Sequence, residues 1–124
     1  MSRIRKVRVS SSTPRDPYDA GTVIVRVLTA RVPRERSARL HVLMREQMPL
    51  LRSYEGLVYA KLARRLDGPD ETVVLFEEWR DPPAMYEWTG PDPGRPRLMP
   101  GAEELIDELT ITHYEALDID PDIE

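Results

Sequence analysis

The first half of the chain predicts a strand followed by a long amphipathic helix. Thr22 to Val32 is rich in β-branched residues and apolar on both alternating faces, which is typical of a strand covered on both sides. Pro33 suits the first turn of a helix, because its missing N–H would have no partner there. From Arg34 to Ser53 one helical face carries apolar residues at spacings of four, four and three, namely Leu40, Met44, Met48 and Leu51. Pro49 lies inside this pattern, and we expect it to kink the last turn.

The second half predicts a hairpin, a short helix and a closing strand. Two strand patterns, Leu57 to Leu66 and Thr72 to Trp79, flank a five-residue hairpin loop at residues 67–71. The elements that follow are a helix from Pro82 to Trp88, a Pro- and Gly-rich loop from Gly90 to Gly101, a brief helix from Ala102 to Leu109 and a strand from Thr110 to Leu117. We interpret the loop as a candidate flap over a pocket. The order strand, helix, strand, strand, helix, strand predicts an α+β, ferredoxin-like βαββαβ fold with an antiparallel sheet.

These elements form one predicted domain between two tails. Residues 22–117 hold every predicted helix and strand, and the length of 124 residues suits a single domain. Residues 1–21 combine basic positions with turn-forming residues. The leading interpretation of that segment is a disordered leader, and the alternative is a short edge strand or an arm that reaches onto a partner. Residues 118–124 are an acidic tail that we expect to fray.

The predicted hairpin loop determines which side chains share a face of the sheet. A loop over residues 67–71 places Tyr59 opposite Trp79. It also places Lys61 opposite Glu77, and alternation puts all four side chains on one face. The other face is nearly pure hydrocarbon, with Val58, Ala60, Leu62, Val74 and Phe76. The mixed face either meets water or lines a cavity in which Lys61 and Glu77 neutralise each other. A change of register by one residue would separate these side chains.

Composition and charge exclude several kinds of site. The chain has no cysteine, which removes disulfides, thiolate nucleophiles and sulfur-ligated metals. Its two histidines, His41 beside the apolar helix stripe and His113 on the last strand, make a poor metal site, so we expect no metal. We interpret His41 as a boundary residue. The formal net charge is −4 with mixed signs, which argues against nucleic acid or an anionic membrane as partner. No signal peptide or membrane span is predicted, and we expect a cytoplasmic protein.

The stretch from Ser53 to Trp88 resembles a known family. Tyr54-Glu55-Gly56 follows the long helix, an Asp-Gly-Pro-Asp turn comes next, and the second hairpin strand ends in Phe76-Glu77-Glu78-Trp79. This combination is similar to the antibiotic biosynthesis monooxygenase family, and with the first strand and helix the resemblance covers residues 22–117. It implies a homodimer whose two sheets form a dimeric α+β barrel, with a pocket between sheet and helices in each subunit. It also implies a small aromatic substrate and oxygenation without a metal or flavin cofactor.

The resemblance carries over to single residues only in part. Trp79 matches the Trp that closes the third strand and lies near the substrate in the family's anthrone oxygenases. Those enzymes carry an Asn four residues earlier, where this chain has Leu75. Trp88 falls where haem-degrading members carry a Trp against the porphyrin, but those members also need an Asn on the first strand and a His beyond the Trp. The chain contains no Asn, so haem degradation does not fit.

Each candidate site residue has a packing role as its alternative. Trp79 is either a core residue or a platform that stacks on a planar substrate. His113 is a candidate general base, since an unperturbed histidine has a pKa of about 6.5. Tyr59 and Glu77 are alternative proton acceptors. We expect further substrate contacts from Met44, Lys61, Tyr86 and Trp88.

Two classes of function remain open on the sequence. The leading hypothesis is a cofactor-free monooxygenase that acts on a phenolic, polycyclic intermediate of the aromatic polyketide type. Such a substrate supplies the electrons once a proton has left, so the protein needs a dry pocket, an aromatic platform and a base. The same pocket could catalyse cyclisation or isomerisation, which also begin with proton abstraction. The second class is a non-catalytic dimeric barrel that binds an aromatic ligand or holds an enzyme complex together.

Overall fold

The computed structural model describes residues 8–11 and 21–117 of the chain. The strands are β1 (Arg8–Ser11), β2 (Ile24–Pro33), β3 (Leu57–Asp67), β4 (Asp70–Trp79) and β5 (Glu108–Glu115). The helices are α1 (Arg34–Arg52) and α2 (Pro82–Thr89), and one 3-10 turn spans Glu103–Leu105. Pro49 lies within α1, which continues to Arg52.

The strands form one sheet in the order β1-β5-β2-β4-β3. The four strands β5, β2, β4 and β3 are antiparallel to their neighbours, and the two helices connect them as βαββαβ. This confirms the predicted α+β, ferredoxin-like fold. β1 adds a fifth strand, parallel to β5, with Arg8 paired to Glu108.

Two predicted segments differ from the structure. Residues 8–11 form an edge strand, which is the alternative interpretation of the N-terminal tail; the rest of that tail and residues 118–124 lie outside the described residues. The predicted helix from Ala102 to Leu109 is wrong beyond its first turn. Ile106 takes an extended conformation (φ −98°, ψ 133°) and its side chain is fully buried, so the chain leaves the helix there and begins β5 at Glu108.

Both helices pack on the same face of the sheet and enclose the core with it. This helix-covered face carries the buried residues Ile24, Leu28, Ala30, Val32, Val73, Leu75, Trp79, Leu109 and Ile111. α1 supplies Leu40, Leu43, Met44 and Leu51 to the same core. The opposite, helix-free face carries Val25, Val27, Tyr59, Lys61, Val74, Phe76 and Tyr114. The period of two along β2 and β4 therefore sorts the chain into a buried and a half-exposed surface.

The predicted hairpin register is wrong by one residue. The turn contains only Gly68 and Pro69, because Gly68 adopts the left-handed conformation (φ 60°) that lets two residues join twisted strands. Asp67 supports the turn by accepting a hydrogen bond of 2.6 Å from the Thr72 hydroxyl.

The shorter turn changes which side chains share a face. Ala60 pairs with Glu77, and Lys61 pairs with Phe76. Glu77 and Trp79 therefore lie on the helix-covered face, whereas Tyr59 and Lys61 lie on the other. The predicted mixed face does not exist as one surface, and the hydrocarbon face predicted opposite it is divided in the same way.

A close approach at Gly56 holds α2 against the start of β3. The Arg80 N–H donates to the Gly56 carbonyl at 2.9 Å, and a Cβ at Gly56 would lie 2.2 Å from the Cβ of Ala84. α2 begins where the Asp81 side chain accepts a hydrogen bond of 2.9 Å from the Ala84 N–H, with Pro82 and Pro83 in its first turn. These local contacts position the segment that follows Trp79.

Candidate functional site

A row of ionisable side chains crosses the helix-covered face of the sheet. Arg26 on β2 pairs with His113 on β5 and with Glu77 on β4. All three side chains are buried, and they point toward the helices along with the core residues of the same strands. Burying three ionisable groups is costly unless they satisfy one another, so this row is the first candidate for a functional site.

The Arg26 guanidinium organises the row. It donates to both carboxylate oxygens of Glu77, at 3.1 and 3.2 Å, and both side chains are only 1% exposed. Its remaining nitrogens donate to the carbonyls of Pro93 at 3.1 Å and of Arg95 at 2.8 Å. The Trp79 indole N–H completes the shell of Glu77 with a hydrogen bond of 3.0 Å. The loop predicted as a flap is thus tied to the sheet through Arg26.

Burial shifts the pKa of two members of the row. Burial raises the pKa of Glu77, against the opposing effects of the Arg26 charge and of its hydrogen bonds from Trp79 and Arg26. Burial, together with the neighbouring Arg26 charge, lowers the pKa of His113 to about 4, although a hydrogen bond with the Pro93 backbone acts the other way. His113 is therefore neutral at pH 7.

The aromatic side chains near the row are packed against one another. Tyr54 meets Trp79 edge to face at a centroid distance of 6.3 Å and Trp88 at 5.2 Å. Arg97 lies over the Trp88 ring at 4.2 Å and donates to the Tyr54 hydroxyl at 3.0 Å. Trp79 is 0% exposed and Trp88 is 2% exposed. The aromatic platform predicted from Trp79 is therefore covered by protein in this conformation.

A cleft of about 750 Å³ opens between α1 and the edge strand β3. Its volume is in the range of pockets that hold drug-sized ligands. Its apolar lining comes from Met48, Ala60, Leu62, Ala63 and Val73, and its polar lining from His41, Arg45, Arg52, Tyr59, Lys61 and Arg64. Ala60 pairs with Glu77, so the cleft begins one strand away from the buried row. The cleft follows the edge of the sheet, where both faces of β3 contribute lining residues beside α1, and it combines an apolar floor with a cationic rim.

Glu71 holds a histidine at one end of the cleft. One of its carboxylate oxygens contacts His41 Nε2, and the other accepts a hydrogen bond of 3.2 Å from Arg64. Burial alone would raise the pKa of Glu71, but hydrogen bonds from His41, Arg64 and Ser37 and the His41 charge outweigh burial and lower it. Because the carboxylate accepts at Nε2, that nitrogen carries the proton in neutral His41 and Nδ1 is the proton acceptor.

The sequence-predicted site residues fall into separate places. Trp79 donates to Glu77, and His113 lies on the other side of Arg26, with all three side chains buried between sheet and helices. Met44 and Trp88 are buried in the core, and Tyr86 packs against that core half-buried. Tyr59 and Lys61 lie at the rim of the cleft, and Tyr59 is 50% exposed. Tyr59 and Trp79, which the predicted register places on one face, therefore lie on opposite faces of the sheet.

The predicted site residues do not include Arg26, Arg64 or Glu71, and the partnership of Glu71 with His41 is not predicted either. One signal was present for Arg26, since it is the only charged residue at the buried alternate positions of β2. No comparable signal marks Glu71, because its pairing with α1 depends on tertiary contact and its position fell inside the predicted loop.

The part of the chain that the structure describes holds neither a metal cluster nor a membrane-spanning helix. Within residues 8–11 and 21–117, no group of three or more His, Asp or Glu side chains is placed to hold a metal ion. No helix in those residues is long and apolar enough to cross a bilayer.

Several solved structures share this fold. A conserved protein from Methanosarcina mazei Go1 has 21% identity and a TM-score of 0.65, over 78% of this chain and 95% of its own. A protein from Shewanella oneidensis has 20% identity and a TM-score of 0.65, over 77% and 92%. A protein from Mycobacterium tuberculosis has 21% identity and a TM-score of 0.62, over 77% and 96%. At these identities the likeness concerns the fold.

The sequence itself establishes the family. No match was found among curated proteins. The family model described as antibiotic biosynthesis monooxygenase matches residues 23–93, which is more than half of the chain. That match spans β2, α1, the hairpin of β3 and β4, and α2, so it includes the cleft and two of the three residues of the buried row. The chain therefore belongs to the antibiotic biosynthesis monooxygenase family.

Proposed function

We propose that this protein is a cofactor-independent monooxygenase that oxidises a phenolic, polycyclic substrate bound in the cleft between α1 and β3. The observation that carries the proposal is the cleft itself, with an apolar floor for fused rings and cations around its rim. Family membership supports an oxygenase, and the volume of about 750 Å³ suits a substrate of several rings.

The chemistry that we propose starts with loss of a proton from the substrate. The resulting phenolate or carbanion is stabilised by the positive charges of Arg45, Arg52 and Arg64 around the cleft. It passes one electron to O₂, and the two radicals combine to a peroxide. Loss of water from the peroxide leaves a carbonyl, so one oxygen atom enters the product and the other leaves as water. The substrate supplies the electrons, and the protein supplies the site and the base.

We assign the role of the base to His41. It lines the cleft, and Glu71 fixes its ring through Nε2, which leaves Nδ1 to accept the proton. Tyr59 also lines the cleft and is the alternative within reach of the same substrate. His113 and Glu77 remain candidates for a substrate that reaches past Ala60 into the interior. The same proton abstraction could serve a cyclase or an isomerase.

A non-catalytic ligand-binding role is the second candidate function. It is favoured by Leu75, which stands where the family's anthrone oxygenases carry Asn, and by complete burial of Trp79. Both observations argue against an oxygenation site built around Trp79. They leave a binding role for the cleft, which neither residue lines.

We further propose that two chains pair through their helix-free faces to form a dimeric barrel, and that the protein acts in the cytoplasm. The face exposes Phe76, Tyr59 and Tyr114, and Phe76 and Tyr59 line a hollow of about 430 Å³ there. Exposed aromatic area of this kind favours association. Phe76→Glu should convert a dimer to a monomer in light scattering, whereas Leu50→Glu on exposed α1 should not. A wild-type monomer would refute the dimer.

Oxygen uptake by metal-free protein tests the oxygenase. With anthrone and with several hydroquinones, we expect uptake above the protein-free background. Leu62→Trp should fill the cleft and lower the rate at least about tenfold, which corresponds to about 1.4 kcal/mol. Leu66→Trp is the matched control, because Leu66 is exposed on the same strand and lies outside the cleft.

Each further outcome separates the candidates. Absence of uptake with every compound removes the oxygenase, and binding without uptake favours the non-catalytic role. His41→Gln should lower kcat if His41 is the base. A loss of activity on Trp79→Phe or His113→Ala, with Leu62→Trp fully active, would move the site from the cleft to the interior.

A further inference from the structure

We propose that the cleft between α1 and β3 selects an aromatic ligand that carries a carboxylate. This inference deepens the proposed function, because it names the substrate class of the same cleft, and it rests on that cleft being the substrate site. The inference comes from the charge of the cleft, which is positive, whereas the net charge of the whole chain is negative. The chain has a formal net charge of −4. Among the residues that the structure describes, the cleft is lined by four permanent cations, Arg45, Arg52, Lys61 and Arg64, and by no carboxylate.

One stripe of α1 supplies half of this charge. His41, Arg45, Met48 and Arg52 follow one another at spacings of four, three and four residues, so they share one helix face and that face borders the cleft. Arg45 and Arg52 are two turns apart, which is about 10 Å along the helix axis. A fused ring system on the apolar floor would therefore meet a guanidinium near either end of the stripe.

Three of the cations, Arg45, Arg52 and Lys61, form no ion pair with a carboxylate within residues 21–117. Arg64 pairs with Glu71 at 3.2 Å, and Glu71 is buried behind the cleft. Several exposed arginines elsewhere in the described residues are neutralised locally, as Arg65 is by Asp67 at 2.9 Å. The cleft gathers three cations without such a partner along one surface.

Guanidinium groups beside an apolar floor favour a planar organic anion. A carboxylate accepts two parallel hydrogen bonds from a guanidinium, and the partly enclosed cleft strengthens that attraction relative to open water. The apolar lining of Met48, Leu62 and Val73 adds affinity for the rings that carry it. Each part of such a ligand thus has a counterpart in the cleft.

Binding of a matched pair of probes tests the inference. Anthracene-2-carboxylate and anthracene-2-carboxamide have the same rings and nearly the same shape, and only the first is charged. Titrations followed by the anthracene fluorescence should give the carboxylate an affinity at least about tenfold higher, or about 1.4 kcal/mol. The difference should shrink at high ionic strength, since the cations are near the surface.

Variants locate the effect. Arg45→Gln combined with Arg52→Gln should remove most of the preference for the carboxylate while leaving carboxamide binding unchanged. Arg39→Gln, on the exposed side of α1 and outside the cleft, should leave the preference intact. Equal affinities of the two probes for the wild type would overturn the inference, as would a preference that survives in the double variant. Carboxylate selectivity without oxygen uptake from any substrate would contradict the oxygenase alone.

Discussion

The Arg26 guanidinium and the Glu77 carboxylate form an ion pair at 3.1 Å in the interior of the sheet–helix interface. The pair links β2 to β4, and Arg26 extends it to the loop through the carbonyls of Pro93 and Arg95. Glu77 extends it to the end of β4 through the indole N–H of Trp79. One buried charge pair thus joins the sheet to the loop.

Breaking this pair from one side should destabilise the protein strongly. Glu77→Gln leaves a buried guanidinium without a counter-charge, and Arg26→Met leaves a buried carboxylate and two loop carbonyls without their donor. We expect each single variant to lose about 3 to 5 kcal/mol of unfolding free energy, measured by urea denaturation.

The double variant Arg26→Met with Glu77→Leu is the matched comparison. It removes both charges together, so it should be more stable than either single variant. Losses below about 1 kcal/mol in both single variants would mean that the pair is not buried as the structure has it.

Stability should depend on pH through His113. In the unfolded chain the pKa of the His113 imidazole is about 6.5, whereas in the folded protein it is about 4. The contribution of the neutral side chain is therefore complete above pH of about 6.5 and is lost as the pH falls toward about 4. The loss is at most about 3 kcal/mol.

His113→Phe should flatten this part of the stability curve. The raised pKa of Glu77 has the opposite effect on stability, because the folded state gains stability relative to the unfolded state as the pH falls and Glu77 takes up a proton. Glu77 is present in both the wild type and His113→Phe, so its effect is common to the two curves. Urea denaturation at a series of pH values measures the difference directly. Parallel curves for the wild type and the variant would show that His113 titrates normally in the folded state.

The approach of Gly56 to α2 predicts a cost for one added methyl group. A Cβ at residue 56 would lie 2.2 Å from the Cβ of Ala84, so α2 would have to move. Gly56→Ala should therefore cost about 1 to 3 kcal/mol in a urea titration. Gly21→Ala is the control, because nothing lies within 4 Å of that position.

A compensating change checks the cause. Ala84→Gly removes the methyl group that the new Cβ would meet. Its addition to Gly56→Ala should restore part of the loss, less the cost of about 1 kcal/mol for glycine in a helix. A Gly56→Ala variant as stable as the wild type would contradict the close approach.

The elements and their order could be predicted because they depend on local pattern. The alternation along β2 and the apolar stripe of α1 can be identified from residues close together in the sequence, and patterns of this kind predict the βαββαβ order. The hairpin register could not be predicted in the same way. It depends on whether Gly68 and Pro69 alone form the turn, and a difference of one residue moves Glu77 to the opposite face from Lys61.

The candidate site was harder to predict than the fold because its residues meet only through tertiary contacts. His113 and Glu77 were predicted as site residues, but their shared partner Arg26 comes from a third strand, and the pairing requires the sheet order. The sequence pattern predicts His41 only as a boundary residue. Its partner Glu71 lies 30 residues away, so no local pattern predicts that the two side chains meet. The cleft depends on how α1 lies across β3, and the periodicity of neither element predicts that arrangement.

The place where an aromatic substrate binds can be measured by methyl NMR. Anthrone added without oxygen to methyl-labelled protein should shift the methyl signals of Met48, Leu62 and Val73, which line the cleft. The signals of Val27 and Val74, on the helix-free face, should stay in place. Shifts confined to the methyl groups of Leu75 and Met85 in the core, or to the helix-free face, would contradict substrate binding in the cleft.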